Sequence, residues 1–417
     1  VKTPFRRVLA GVAMLTAAVL ATTSCGFGSD DSDDKDPNSI ALLVPSYSDG
    51  PTGTKALWDG IIAGFQKENP DLKVRLQVES WDSINDVVRT KLQSQSTTPD
   101  ILNIDAYSTF ATDGLLYPAK DIVSESVLAD IDPGFASNAS IDGTQWALPL
   151  FASTRTLFYN TDLFARAGVT TPPKTWTELT DAAKKIQALG GGISGYGLPL
   201  GSEESQAETS IWTFGAGGNW SDAGKLTIDS AANLKGVQAM AALASSGATQ
   251  PNPGATNRKD VLNSFIQGQI GMVEGLPPLL GMIAEKNPNL KYATAPSPTE
   301  TGSPVTLGVA DHLMAFKKDG AKQATIKKFL DYFYASANYT NFVKSERFIP
   351  ITKSGLTALA DDQVTKIFGP TLPVARFYPS NNPKWGAAQG AIQQQMGTIT
   401  QGADPASVLA KVQQAAS

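Results

Sequence analysis

The spacing of apolar residues changes period several times along this chain, and each change marks an element. "SIALLVPSY" (Ser39–Tyr47) is a short continuous apolar run ended at a proline, the pattern of a buried strand. Trp58, Ile61, Ile62 and Phe65 then recur at helical spacing, which collects them on one face. "NPDLKVRLQVESW" alternates into a second strand ending at Trp81, a helix follows from about Ser83 to Gln95, and "TPDILNIDAY" reads as a third strand. Strand, helix, strand, helix, strand predicts an α/β fold with a largely parallel sheet. Ligands of such sheets bind beyond the carboxyl ends of the strands, which directs attention to Ser46, Tyr47, Trp81, Asp105 and Tyr107.

The second half carries comparable signals. In "TWTELTDAAKKIQAL" Thr175 and Glu178 have capping-box spacing, so a helix should open there. Pro172 and Pro173 hold the preceding residues extended. Leu234 to Leu243 and Lys259 to Ile266 read as further helices, while "GQIGMVEG" and "LKYATAPSP" read as strands of a second sheet. The last helix opens at "DPASVLAKV", with Asp404 as cap and Pro405 in the first turn. No internal repeat is present.

The beginning of the chain has a different character. Lys2, Arg6 and Arg7 precede an apolar run of 14 residues, Val8 to Ala21, shorter than the roughly 20 a spanning helix needs. Residues 1–24 therefore read as a signal peptide ahead of Cys25, the only cysteine. Small residues before a cysteine resemble a bacterial lipoprotein signal, in which that thiol is lipidated, although Thr22 stands where such signals usually carry leucine. Residues 25–38 would then be a lipidated cysteine and its tether. Gly26 to Asn38 holds five aspartates and little apolar surface, so it is expected to be disordered and to reach at most about 45 Å.

Loss of Lys2, Arg6 and Arg7 takes the formal charge from −5 to −8, which gives no basic face for a nucleic acid. The remaining chain is long enough for two domains, and with one cysteine it has no internal disulfide.

"LFYNTDLFARAGVTTPPKTWTEL" (Leu157–Leu179) resembles the extracellular solute-binding proteins of ABC importers, in particular the maltose-binding-protein-like carbohydrate family. "TPDILNID", "DGLLYPAKD", "DGTQWALPL", "FIQGQIGM", "ERFIPI" and "NNPKWGAAQGAIQQQM" follow in the family's order. The resemblance implies a two-lobed clamshell, each lobe a mainly parallel sheet flanked by helices. It implies a first lobe of residues 38–151 plus 303–350 and a second of 152–302 plus 351–417. It also implies a monomer anchored at the outer face of the membrane, a carbohydrate ligand, permease subunits as partners and no cofactor.

Sugars need aromatic faces for stacking and carboxylate, amide or guanidinium groups for paired hydroxyls. The resemblance places Asp105 or Tyr107 just after the third strand, Glu203 and Glu204 in a contact loop, Trp385 at a stacking position and Glu274 beside the site. Leu276, Pro277 and Pro278 stand where the maltose-type pattern carries a tryptophan. Phe151 and Arg155 flank a crossing strand, and Asp311 and His312 form a polar pair inside apolar sequence that either a structural hydrogen bond or a ligand explains. For Trp81, Trp212 and Trp220 packing and stacking are both open, whereas Trp58 and Trp176 fit helical cores. Glu203 and Glu204 also fit solvated loop charges.

A lone histidine and no GxSxG motif disfavour a Ser-His-Asp hydrolase, and zinc chemistry lacks ligands. "GGGISGYG" lacks the lysine of a P-loop. A glycosidase needs only two carboxylates, and Asp105, Glu203, Glu204 and Glu274 keep that alternative open. A polyol or glycerol-phosphate ester is an alternative ligand, the phosphate disfavoured because Arg155 and Arg347 are few cations for it. The expectation is a non-enzymatic receptor that closes on a sugar, against a hydrolase or a scaffold.

Overall fold

The computed structural model describes residues 36–48 and 50–417; the leader, Cys25 and most of the acidic tether lie outside them. The first sheet starts as the apolar pattern predicts. Strand β1 (Ser39–Pro45), helix α1 (Thr54–Glu68), β2 (Lys73–Glu79), α2 (Ile84–Lys91) and β3 (Ile101–Ile104) form two parallel crossover units. Helix α2 stops short of Gln95 because Thr97 and Thr98 donate their hydroxyls to the carbonyls of Lys91 and Ser94, at 2.6 and 2.8 Å. Such side-chain bonds compete with the helical ladder.

The chain then crosses between sheets. Strand β4 (Leu148–Thr154) belongs to the first sheet and β5 (Thr156–Asn160) to the second, with Arg155 at the joint. Helix α3 (Trp176–Gln187) opens with the expected capping box: the Thr175 hydroxyl accepts from the Glu178 amide at 3.2 Å, and the Glu178 carboxylate accepts from the Thr175 amide at 3.2 Å. Strand β6 (Ser194–Gly197), α4 (Ser205–Gly215), α5 (Ala231–Ser245), α6 (Arg258–Ile266), β7 (Ile270–Gly275) and β8 (Tyr292–Ala295) complete this half.

The long strand β9 (Thr306–Ala315) returns to the first sheet, followed by α7 (Gln323–Tyr334), α8 (Ser336–Glu346), β10 (Ala375–Phe377), α9 (Trp385–Gln395) and α10 (Pro405–Ala415). Asp404 caps α10, its carboxylate accepting from the Ser407 amide at 3.0 Å.

The sheets are mixed. The first has the order β2-β1-β3-β9-β10, with β4 also on β9, and β9 runs antiparallel to both β3 and β4. The second, β8-β5-β7-β6, has a single parallel pairing, β7 with β6. Parallel order holds only where a helix carries the chain back. Strands β5 and β9 arrive from the other half and enter the opposite way, whereas β4, which leaves the first half, runs with β3.

The β4–β9 ladder slips at Asp311 and His312, leaving Leu150 as the extra residue of a bulge. Carbonyls lost from the ladder are recovered by phenols: Tyr334 donates to Pro149 at 2.7 Å and Tyr339 to Leu150 at 2.8 Å. The segment after α8 ties back as well, Ser354 donating its amide to Asp130 at 3.0 Å and Asp132 its amide to Ile351 at 2.9 Å.

One apolar core runs from Ile40, Leu42 and Trp58 to Phe265 of α6 and Val273 of β7. Trp58 stacks on Phe333 at 4.8 Å, answering the helical spacing that placed it on α1's inner face. A second core joins Tyr196, Trp212, Trp220 and Met240 to Trp385, Ile392 and Leu409 of the last two helices. A large apolar side chain so buried contributes about 1.5–3 kcal/mol.

Candidate functional site

Strand ends from the first sheet and helix starts from the second half meet at one place. Arg155, buried at the β4–β5 joint, donates Nη2 to Glu204 Oε1 at 2.5 Å and Nη1 to Ser153 Oγ at 3.0 Å. Arg258, the first residue of α6, pairs through Nε with the other oxygen of Glu204 and through Nη2 with Glu208 at 3.2 Å. Its Nη1 donates to the Glu274 carbonyl at 3.1 Å. Glu208 also accepts from Tyr196 Oη at 2.7 Å and Trp212 Nε1 at 3.1 Å. Burial opposes ionisation of Glu204, but the two guanidiniums outweigh it and hold the carboxyl below its ordinary range.

Three further acids have no such partners. Asp311 is pushed up to about 8, first by burial and then by Asp105. Glu274 is pushed up to about 8 by burial and by Glu208, although Ser297 donates to it at 2.7 Å. Burial also raises Asp105, against a hydrogen bond from Gln389 Nε2 at 3.0 Å. Glu203 sits half-buried at the margin, raised to about 7 by burial and by Glu204. His312 is held neutral, pushed down to about 4 by burial. Its Nδ1 lies 3.0 Å from the Asp105 carbonyl, which assigns the proton to that nitrogen, and its ring meets Tyr107 edge-on at 5.2 Å.

These shifts fix a direction for stability against pH. A carboxyl whose pKa is raised on folding binds its proton more tightly in the native state, so stability falls as pH rises from the unfolded value of roughly 4 to the folded one. Below about pH 6.5, His312 and Glu204 act in the opposite sense, so the window from pH 6.5 to 9 isolates the acids. The ligand-free melting temperature is expected to fall across that window, and D311N with E274Q to flatten the fall. A wild-type profile that is level or rising there contradicts this assignment.

Aromatic residues border the charges on two sides. Tyr47, past β1, lies edge-on to Trp81 at 5.5 Å and to Phe151 at 4.8 Å, and Phe151 stacks on Phe348 at 4.0 Å. The Tyr47 hydroxyl donates to Asn103 at 2.9 Å. On the other side Trp385 stacks on Tyr378 at 5.3 Å, with Trp220 behind it at 6.1 Å.

Of the residues that the sequence singles out, Asp105, Arg155, Glu203, Glu204, Glu274 and Asp311 are thus gathered into one charged cluster. Trp81 and Phe151 stand at its aromatic edge and Trp385 at its opposite wall. Tyr107 is buried in the first half, its hydroxyl on the Asn138 carbonyl at 2.9 Å. Trp220 lies in the second core, Nε1 on Ser210 Oγ at 2.7 Å. Arg347 is exposed, caps α8 with a left-handed φ of 60°, and lies over Gly281.

Sequence reading passed over Arg258, Glu208, Tyr378 and Gln389. Glu208 carried a signal: it is the one charged residue in "SQAETSIWTFG", a helix the structure buries throughout. Arg258, Tyr378 and Gln389 carried none, because their neighbours in space are distant in sequence.

The two sides touch. Besides Asp105 and Gln389, Ser108 donates to the Asn382 carbonyl and Thr109 to that of Pro383, both at 2.8 Å, and Asn257 donates to Asp82 at 3.3 Å. Among the described residues no group of acids, histidines or cysteines is arranged to hold a metal.

The sequence profile described as "Bacterial extracellular solute-binding protein" matches residues 49–340. A "Putative binding protein" of Brucella abortus (strain 2308) is 30% identical over 353 residues, covering 82% of this chain and 84% of that protein. An ABC transporter solute-binding protein of Thermotoga lettingae, solved with α-D-tagatose, aligns over 91% of this chain and all of its own, with 23% identity and a TM-score of 0.80. The GacH receptor of Streptomyces glaucescens, solved unliganded and with acarbose, covers 91% of this chain and 97% of its own at 21% identity and a TM-score of 0.76. Both share the clamshell architecture in which two α/β lobes face one another. The chain belongs to the bacterial extracellular solute-binding proteins, a family of exported receptors and not of enzymes.

Proposed function

We propose that this receptor captures a carbohydrate between its lobes and hands it to the permease of an ABC importer. The observation that carries this reading is a set of buried hydrogen-bonding atoms without protein partners at the lobe boundary: Tyr378 Oη, Trp385 Nε1, Gln389 Oε1 and Arg155 Nε. An unmet buried polar atom costs about 1–3 kcal/mol, and a polyhydroxylated ligand supplies donors and acceptors to several at once. Trp81, partly exposed beside Tyr47, offers a face to sugar C–H surface. The tagatose and acarbose complexes of the structural relatives agree with this ligand class.

Closure follows from where the groups reside. Asp105 and Asp311 belong to the first sheet, whereas Glu204, Arg258 and Gln389 belong to the second half, so a ligand bonded to both stabilises the closed form by its differential contacts. The closed surface is what the permease reads. Cys25 would carry the lipid that keeps the monomeric receptor at the membrane, on the tether that follows it.

A thermal-shift screen of the exported chain against neutral sugars and polyols tests the reading. A ligand at a hundredfold excess over its dissociation constant adds about 2.7 kcal/mol, and the sugar must be recovered uncleaved. No shift with any carbohydrate rejects the reading. In the same expression system the wild-type chain should enter the detergent phase and C25S the aqueous one; equal partitioning rejects the anchor.

A further inference from the structure

We propose that the captured solute carries a protonated amine, which seats between Asp105 and Asp311. The inference rests on the carbohydrate reading and narrows it to amine-bearing sugars or polyols. Its basis is the distribution of charge in the closed site. Arg155 and Arg258 are both committed, the first to Glu204 and the second to Glu204 and Glu208, so two cations are matched by two carboxylates. Asp311 precedes His312 and Asp105 follows Ile104, and His312 and Ile104 face one another across the β3–β9 ladder, so the two acids are neighbours by register. No lysine or arginine forms an ion pair with either among the described residues, and Asp105 disfavours ionisation of Asp311. His312 does not serve, being neutral and turned to Tyr107. A second, independent feature points the same way. Gln389 is 8% exposed, its Nε2 is fixed on Asp105, and its Oε1 has no partner, so an unmet acceptor sits beside the acid pair.

A hydroxyl brings one proton to such a place. An ammonium brings three donors and the missing charge, and it matches two carboxylates and an amide oxygen. An anionic ligand meets the reverse condition, since the charges of both guanidiniums are already matched by carboxylates and the acid pair disfavours a further negative charge.

Titration calorimetry of the exported chain with matched probes tests this. Glucosamine, galactosamine, mannosamine and the 1→4-linked glucosamine dimer are each compared with the hydroxyl and N-acetyl counterpart. At least one amine is expected to bind about tenfold or more tighter than both counterparts, the scale of a desolvated charge pair. D311N and D105N should each abolish the preference, and the wild-type preference stands by itself if either variant fails to fold. Equal or tighter binding of the hydroxyl or N-acetyl forms overturns the inference and leaves the carbohydrate reading intact. Binding of none of the amines also overturns it, and the neutral panel then decides the broader reading separately.

Discussion

Replacing Arg258 with alanine is expected to destabilise the fold by about 3–5 kcal/mol, because it strands buried carboxylates without their counter-ion. The side chain is 4% exposed and joins three elements: Glu204 and Glu208 at the start of α4, and the Glu274 carbonyl on β7. Glu208 is fully buried, so its charge has no access to water once the guanidinium is gone. Arg258→Lys keeps the charge but loses the fork that reaches all three acceptors, so it should recover part of the loss. Adding E208Q to R258A should recover part as well, by removing the stranded charge. Urea unfolding monitored by tryptophan fluorescence checks all three, and a loss below about 1 kcal/mol for R258A would show that the network contributes nothing net.

Trp385→Ala is the second large loss, again about 3–5 kcal/mol, here from a cavity. The indole opens α9 and is fully buried between Tyr378 and Trp220, in the core that holds α9 and α10 against the second sheet. Gln389 lies one turn further along the same helix, so a loosened α9 also misplaces the amide that reaches Asp105. Ligand-induced thermal shift should therefore shrink beyond what the lower starting stability explains. Trp385→Phe retains most of the packing and should lose about half as much or less. Equal losses for the alanine and phenylalanine variants would mean that the indole nitrogen, not the volume, matters at this position.

Local signals were legible wherever a few neighbouring residues determine the outcome. The capping box at Thr175 and Glu178 forms as its spacing requires, and Trp58, Ile61, Ile62 and Phe65 line the inner face of α1. The position of Asp105 was legible for a topological reason, since it follows the end of β3, and there it meets Gln389 of the second half. Asp311 stood out as a charge inside an apolar strand, and its burial against Asp105 supplies the reason.

What the sequence determined by itself is therefore local: strand and helix positions, the caps, the apolar faces and the acids that interrupt them. Tertiary structure alone decided the mixed pairing of the sheets, because antiparallel entry of β5 and β9 depends on where the chain crosses between halves. It also decided which acids are paired. Arg258 finds Glu204 and Glu208 some fifty residues away, and Gln389 reaches Asp105 from the far end of the chain. Nothing in the periodicity of either segment encodes those meetings. The energies that set them, desolvation against ion pairing, exist only after burial has removed the water.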